Sequence, residues 1–145
     1  NQIVRCFGVT RQHPAPVSLH LTSVAAARVR APESLPHDKH LCAWLSGESC
    51  DTNGGLFHMH DGPPGATWPV AEMVWLSPDA KEPLESIDPG HVYILGGLID
   101  RSVDRGASLS RALSCGAKAR RLPLREYAAR SDVHPILSLP SCWQV

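Results

Sequence analysis

An α/β fold with a largely parallel sheet is predicted by two features of this 145-residue sequence. The first is a pair of short, unbroken apolar runs, Met73–Leu76 and Val92–Leu95. They stop at the turn-forming pairs Ser77-Pro78 and Gly96-Gly97. Runs this short and continuous suit strands of a buried parallel sheet. The second is a helical spacing of apolar residues after them, at Leu109, Ala112 and Leu113. Strands that alternate with a helix argue for an α/β architecture.

The elements follow in chain order. Val17-Ser18-Leu19-His20-Leu21-Thr22 alternates apolar and polar residues, as a half-buried strand does. Residues 31–69 carry Pro32, Pro36, Pro63, Pro64 and Pro69 with the pairs Gly54-Gly55 and Gly62-Pro63. They read as an irregular insertion or loop, with one short strand near residues 41–45. The two apolar runs come next. Ser108 is the expected N-cap of the helix, and Gly116 falls where a C′ glycine belongs. Residues 119–124 and 136–139 are expected to form two further strands. The length suggests a single domain, and no internal repeat is visible.

Composition narrows the function classes. Apolar residues make up 43% and charged residues 19%, which supports a packed core and argues against wholesale disorder. No run approaches the roughly 18 apolar residues of a membrane helix. The first residues, Asn1-Gln2-Ile3-Val4-Arg5, begin no secretory signal. Five cysteines without CxxC spacing read as reduced thiols in a reducing compartment, with cytosol or nucleus placed ahead of mitochondrion. The net charge of zero hides an asymmetry. Residues 31–100 hold two lysines against eleven acidic residues, whereas residues 101–130 hold eight basic against two acidic residues. Such a basic block suits a phosphate-rich partner, although a solvated helix face explains it as well.

Three strand ends carry the chemistry. Tyr93-Ile94-Leu95-Gly96-Gly97-Leu98-Ile99-Asp100 takes a buried strand into two glycines and a carboxylate. Glycines there let the backbone approach a ligand, and ligands of open α/β sheets bind at the strands' carboxyl ends. Trp75-Leu76-Ser77-Pro78-Asp79 and Arg121-Leu122-Pro123-Leu124 are the other two. Each alone is ordinary strand–loop punctuation; three meeting at one edge could enclose a small cofactor.

The order VWLSPD, IDPGHVYILGGLID, a basic helix closed by glycine, ARRLPLREY and PILSL resembles the tRNA guanine-N1 methyltransferases that act at position nine. These are a branch of the SPOUT superfamily, and the likeness is greatest to the vertebrate branch called homolog B. It covers residues 73–139 well and residues 17–23 more weakly; residues 31–69 have no counterpart. The order and spacing carry the specificity, not any single motif.

The resemblance implies a SPOUT-type parallel sheet, flanked by helices and tied in a trefoil knot that holds S-adenosylmethionine. It puts Leu76, Gly96, Asp100, Arg101, Ser102, Val103, Asp104, Ala107, Leu122, His134, Pro135 and Ile136 around that cofactor. Asp100 falls on the family's aspartate, proposed as proton acceptor. Guanine N1 carries a proton at neutral pH, so a positioned carboxylate can accept it as the methyl group arrives. The implied partner is tRNA, with Arg105, Arg111, Lys118, Arg120, Arg121 and Arg125 as candidate contacts. Two departures lead to the expectation of a chain truncated at both ends, its knot incomplete at the C-terminus. The family's N-terminal basic portion is not found, and Pro140-Ser141-Cys142-Trp143-Gln144-Val145 replaces its closing segment and long helix. Pro140 is expected to interrupt any helix start. Low stability and little activity of this chain follow, with an inactive RNA- or partner-binding isoform as the alternative function. A monomer is expected, with self-association through exposed apolar surface as its alternative.

Other signals are weaker. His58-Met59-His60-Asp61, near His37, His40, Cys42 and Cys50, fits no standard zinc spacing, so surface histidines in a loop are expected and no metal. Trp44, Trp68, Trp75 and Trp143 are expected to pack rather than stack on bases. The sequence has neither a P-loop nor GxGxxG.

Overall fold

The computed structural model describes residues 2–25, 55–96, 106–127 and 137–144. Its helices are α1 (Gln2–Gln12), α2 (Ala107–Ser114), α3 (Leu124–Tyr127) and α4 (Leu139–Gln144). Its strands are β1 (Leu19–Leu21), β2 (Phe57–Met59), β3 (Met73–Leu76), β4 (Val92–Leu95) and β5 (Lys118–Arg120). Contacts divide the chain into two compact units, one of Asn1–Thr67 with Trp143–Val145 and one of Trp68–Cys142.

In the first unit α1 presents a helical stripe. Cys6, Phe7 and Thr10 are buried, with Ile3 and Val4 partly so. This stripe packs on a parallel pair in which Leu19 lies opposite Phe57, His20 opposite His58, and Leu21 opposite Met59. Strand alternation sorts the residues. Leu19, Leu21, Phe57 and Met59 join Phe7 and Val24 in the core, with the Phe7 and Phe57 rings edge to face at 5.6 Å. His20 and His58 alternate with them, and their rings stack at 4.5 Å. His60 continues the group: its Nε2 shares a hydrogen bond with His20 Nδ1 at 2.9 Å. The expected strand at residues 17–22 is thus present in shortened form. The stretch read as irregular contains β2, so His58 belongs to a sheet rather than a loop and His60 directly follows it; His37 and His40 lie outside the described residues. The signal was too short to see, three residues between glycine pairs. The expected strand near residues 41–45 lies outside the described residues.

In the second unit the strand order is β4-β3-β5, all parallel. β3 is central, and Met73, Val74 and Trp75 are all buried, which is why its sequence is apolar without alternation. β4 is an edge and only half-buried. α2 covers the sheet: Ala112 is fully buried and packs with Met73, Trp75 and Ala117, flanked by Trp68, Ile94 and Ala119. Small residues on this helix let it approach the strands. Trp68 and Trp75 pack as expected.

Gly116 ends α2 as the sequence indicates. Its φ is +71°, its N–H donates to the Leu113 carbonyl at 3.2 Å, and the Ala117 N–H reaches the Ala112 carbonyl at 2.9 Å. This pair of bonds is a Schellman closure. The other end differs from expectation. The N-cap is Gly106, with φ +80°, and Ser108 is already inside the helix.

Two expected strands are corrected. Residues 119–124 do not form one strand: β5 covers Lys118–Arg120, Arg121 makes a single parallel bridge to Pro83, and Leu124 begins α3. Pro123 explains the break, since it has no N–H for a ladder and its carbonyl accepts from Glu126 and Tyr127 at 3.2 Å. Residues 137–139 form no strand either; Leu139 opens α4, and Ile136 lies outside the described residues. Pro140 does not interrupt this helix. Ser138 Oγ accepts the Ser141 N–H at 3.3 Å as an N-cap, which puts Pro140 in the first turn, where no N–H is needed. Trp143, on α4, donates from Nε1 to Thr10 Oγ1 at 2.7 Å.

The histidine group makes the first unit sensitive to acid. Burial, then His58 and His60, push the His20 pKa below its usual 6.5. The folded state therefore prefers neutral His20. That stability is present above about pH 6.5 and is lost as pH falls from there through the lower folded value. Urea unfolding followed at pH 7.5, 6.5 and 5.5 is expected to show a falling midpoint, and His20→Gln a smaller fall. Equal falls in both proteins refute the assignment.

Candidate functional site

The parallel arrangement delivers three strand ends to one edge. Leu76, the last residue of β3, lies opposite Leu95 on one side and Arg120 on the other. Gly96 follows Leu95, and Leu122 lies two residues past Arg120.

The turn after β3 is anchored deeply. Ser77 is 2% exposed, and its N–H donates to the Arg120 carbonyl at 2.9 Å, extending the β3–β5 pairing. Its carbonyl accepts the Ala80 N–H at 3.2 Å and its Oγ accepts the Asp79 N–H at 3.3 Å. These bonds close a tight turn that holds up the Asp79 side chain. The Asp79 carboxylate then accepts the Gly106 N–H at 3.0 Å, across 27 residues. A carboxylate suits this position, because the first N–H groups of a helix have no internal partners and carry partial positive charge. This bond also explains why the helix starts at Gly106 rather than at Ser108.

β4 is set by a turn at its other end. The Tyr93 hydroxyl accepts the Asp88 N–H at 2.7 Å, and Asp88 Oδ1 accepts the Gly90 N–H at 2.8 Å. The Gly90 bond is the main reason the Asp88 carboxyl sits below its usual range. At its carboxyl end Gly96 faces Ser108: a Cβ on Gly96 would stand 2.6 Å from Ser108 Oγ. Backbone therefore approaches the start of α2 where a side chain would intrude.

Of the residues assigned to the cofactor, Leu76, Gly96, Ala107 and Leu122 are described. Leu76 and Gly96 come together at the sheet edge, and Ala107 opens the helix whose next residue, Ser108, faces Gly96. Asp100, Arg101, Ser102, Val103, Asp104, His134, Pro135 and Ile136 lie outside the described residues, as does Arg105. The expectation of an incomplete knot likewise falls outside the described residues. Sequence reasoning missed the roles of Asp79 and Ser108. Asp79 was within a quoted motif, but nothing local reveals its partner.

The basic residues divide into two kinds. Arg111, Lys118 and Arg125 are exposed. Arg120 and Arg121 are half-buried and paired. Arg120 Nη1 lies 2.7 Å from Glu82 Oε2. Arg121 grips Glu126 with both guanidinium nitrogens, Nη1 to Oε2 at 2.9 Å and Nη2 to Oε1. That fork draws the Glu126 carboxyl down to about 2 and raises the Arg121 pKa. A cleft of about 380 Å³ beside the Pro83–Arg121 bridge is lined by Glu82, Pro83, Leu84, Glu85, Ser86 and Arg120. It holds none of the residues assigned to the cofactor. Among the described residues, no three of the His, Cys, Asp and Glu side chains are placed to hold a metal ion.

Residues 1–137 match the family model described as tRNA (guanine(9)-N(1))-methyltransferase TRM10/TRM10A. tRNA methyltransferase 10 homolog B of Danio rerio is 33% identical over 92 residues, which are 61% of this chain and 30% of that protein. The Rattus norvegicus homolog B is 29% identical over 129 residues, 89% of this chain and 37% of that protein. The chain thus spans about a third of the length of these two relatives. The tRNA (guanine(9)-N1)-methyltransferase of Candida albicans is 24% identical, with 95% of this chain and 47% of that protein covered. The crystal structure of full-length spTrm10 in its SAH complex superimposes with a TM-score of 0.74 at 18% identity, over 98% of this chain and 69% of that one. A second, of spTrm10(74), gives 0.71 at 20% identity, over 98% and 71%. These likenesses establish the SPOUT fold. With the family model matched across residues 1–137, the chain belongs to the TRM10/TRM10A family of tRNA (guanine(9)-N(1))-methyltransferases.

Proposed function

We propose that this chain forms the cofactor-binding part of an S-adenosylmethionine-dependent enzyme that methylates N1 of guanine at position nine of tRNA. The observation that carries the reading is the close approach of Gly96 to Ser108 at the carboxyl edge of a parallel sheet. Family membership and the SAH complex of spTrm10 support the choice of cofactor. The residues fit it: a glycine whose missing side chain lets Ser108 close against the strand end, the apolar side chains of Leu76, Ala107 and Leu122, and strand-end backbone that can present N–H groups. The bound cofactor supplies an activated methyl group.

The protein's own part is then positioning and proton transfer. Leu76, Gly96, Ala107 and Leu122 hold the cofactor and exclude water, so that little motion separates donor from acceptor. Asp100 stands four residues past Gly96 and takes the N1 proton of the guanine. Arg111, Lys118 and Arg125 meet tRNA phosphates. Arg120 and Arg121 contribute less charge, because Glu82 and Glu126 already neutralise them.

Three measurements test this. Gly96→Val is expected to weaken S-adenosylhomocysteine binding by about tenfold or more, read by calorimetry, because a branched side chain collides with Ser108 and displaces the start of α2 from the strand end. Gly96→Ala should do less, since Ser108 can rotate from one methyl group. Unchanged affinity in a folded Gly96→Val protein removes Gly96 from the pocket.

Asp100→Asn keeps size and hydrogen bonding but loses basicity. Guanine methylation by the complete enzyme is expected to slow by about 10²–10⁴-fold, with cofactor affinity nearly unchanged. Equal rates across the pH range eliminate Asp100 as the base.

Neutralising Arg111, Lys118 or Arg125 should each lower the salt slope of tRNA binding by about one unit. Arg120→Gln and Arg121→Gln should lower it less. Binding indifferent to salt refutes a phosphate-contacting face.

A further inference from the structure

The geometry points to Asp79 as a positioning residue for the cofactor pocket. It acts through Gly106 and touches neither cofactor nor guanine. This rests on the reading of the Gly96 edge as that pocket.

Residues 97–105 connect Gly96 to Gly106 and carry Asp100. Wherever they run, their two attachment points are set by the described structure. The first is the end of β4, where Gly96 lies against Ser108. The second is Gly106, which has φ +80° and no side chain with which to cap the helix it opens. Asp79 instead accepts the N–H of Gly106 itself from another strand end, at 3.0 Å, which fixes the residue that opens the helix. The bond joins the turn after the central strand to the start of α2.

The support behind Asp79 is buried and hydrogen-bonded. The buried Ser77 accepts the Asp79 N–H through Oγ and is itself bonded to the Arg120 carbonyl on β5. Movement of Asp79 therefore requires disruption of the sheet's inner turn. The exposed carboxylate keeps solvent on its other side, so its charge costs little desolvation while it meets the helix's positive end. Ala107, assigned to the pocket, is the next residue after Gly106. Without the Asp79 bond the first turn of α2 frays, and with it the placement of Ala107 and the return point of the segment bearing Asp100.

The test compares Asp79→Ala, which removes the acceptor, with Asp79→Asn, which keeps an acceptor oxygen without the charge. Two readouts are taken on the whole chain. Amide hydrogen exchange at residues 106–110 needs no cofactor, and the S-adenosylhomocysteine dissociation constant reports the pocket. Asp79→Ala is expected to speed exchange at residues 106–110 and raise the dissociation constant, each about tenfold, with β3 and β5 amides unchanged. Asp79→Asn should restore most of both. A purely structural role would instead speed exchange throughout the sheet. Asp79→Ala with unchanged exchange at residues 106–110, or with unchanged affinity where the parent chain binds, overturns the inference. A parent chain that binds no S-adenosylhomocysteine overturns the pocket reading itself and the cofactor role of Asp79 with it. The exchange readout still shows separately whether the anchor exists.

Discussion

The parallel pairing of β3 with both β4 and β5 is the constraint on which the second unit depends. Parallel strands all end at the same edge, and consecutive ones need a crossover between them. Leu76, Leu95 and Arg120 therefore finish side by side, and whatever follows each strand is delivered to one place. Successive residues of the central strand, which point to opposite faces, are all buried, so neither face has water-facing positions to spare. That is why Met73, Val74 and Trp75 are all apolar, and α2 meets the sheet through the small Ala112, next to Ala117 in the turn that follows the helix.

Once the strand ends share an edge, polar backbone there needs partners. The structure supplies them with short side chains held by the neighbouring strand. Ser77 closes its own turn and leans on β5, Asp79 reaches the helix, and the Asp88 turn fixes where β4 begins. None of these bonds is strong alone. Their effect is geometric. They bring Ser108 against Gly96, where the absence of a side chain lets the start of α2 close on the strand end.

The charge pattern gains meaning in the same way. Counting residues gives a basic block, but half-buried arginines beside carboxylates do not present that charge to a polyanion. The Arg121–Glu126 fork and the Arg120–Glu82 pair tie β5 and its following loop to acidic neighbours. The charge offered to solvent rests more on Arg111, Lys118 and Arg125.

What the sequence by itself determined was local in origin. The unbroken runs of β3 and β4, the glycine that ends α2 and the packing of Trp75 are each written in adjacent residues, because burial and left-handed backbone are properties of one place in the chain. The order of motifs carried the family. Tertiary structure alone decided the rest. It paired β2 with β1, so that His20 meets His60 across 40 residues, and it moved the start of α2 to Gly106 through a carboxylate 27 residues away. It split residues 119–124 at Pro123, and it opened a helix at Leu139, the end of the expected last strand, which Ser138 caps and Pro140 fits. Periodicity is blind to such partners, since a hydrogen bond between distant residues leaves no repeat in either segment. Burial continuity can be read along the chain, whereas the satisfaction of a single donor depends on which acceptor the fold brings to it.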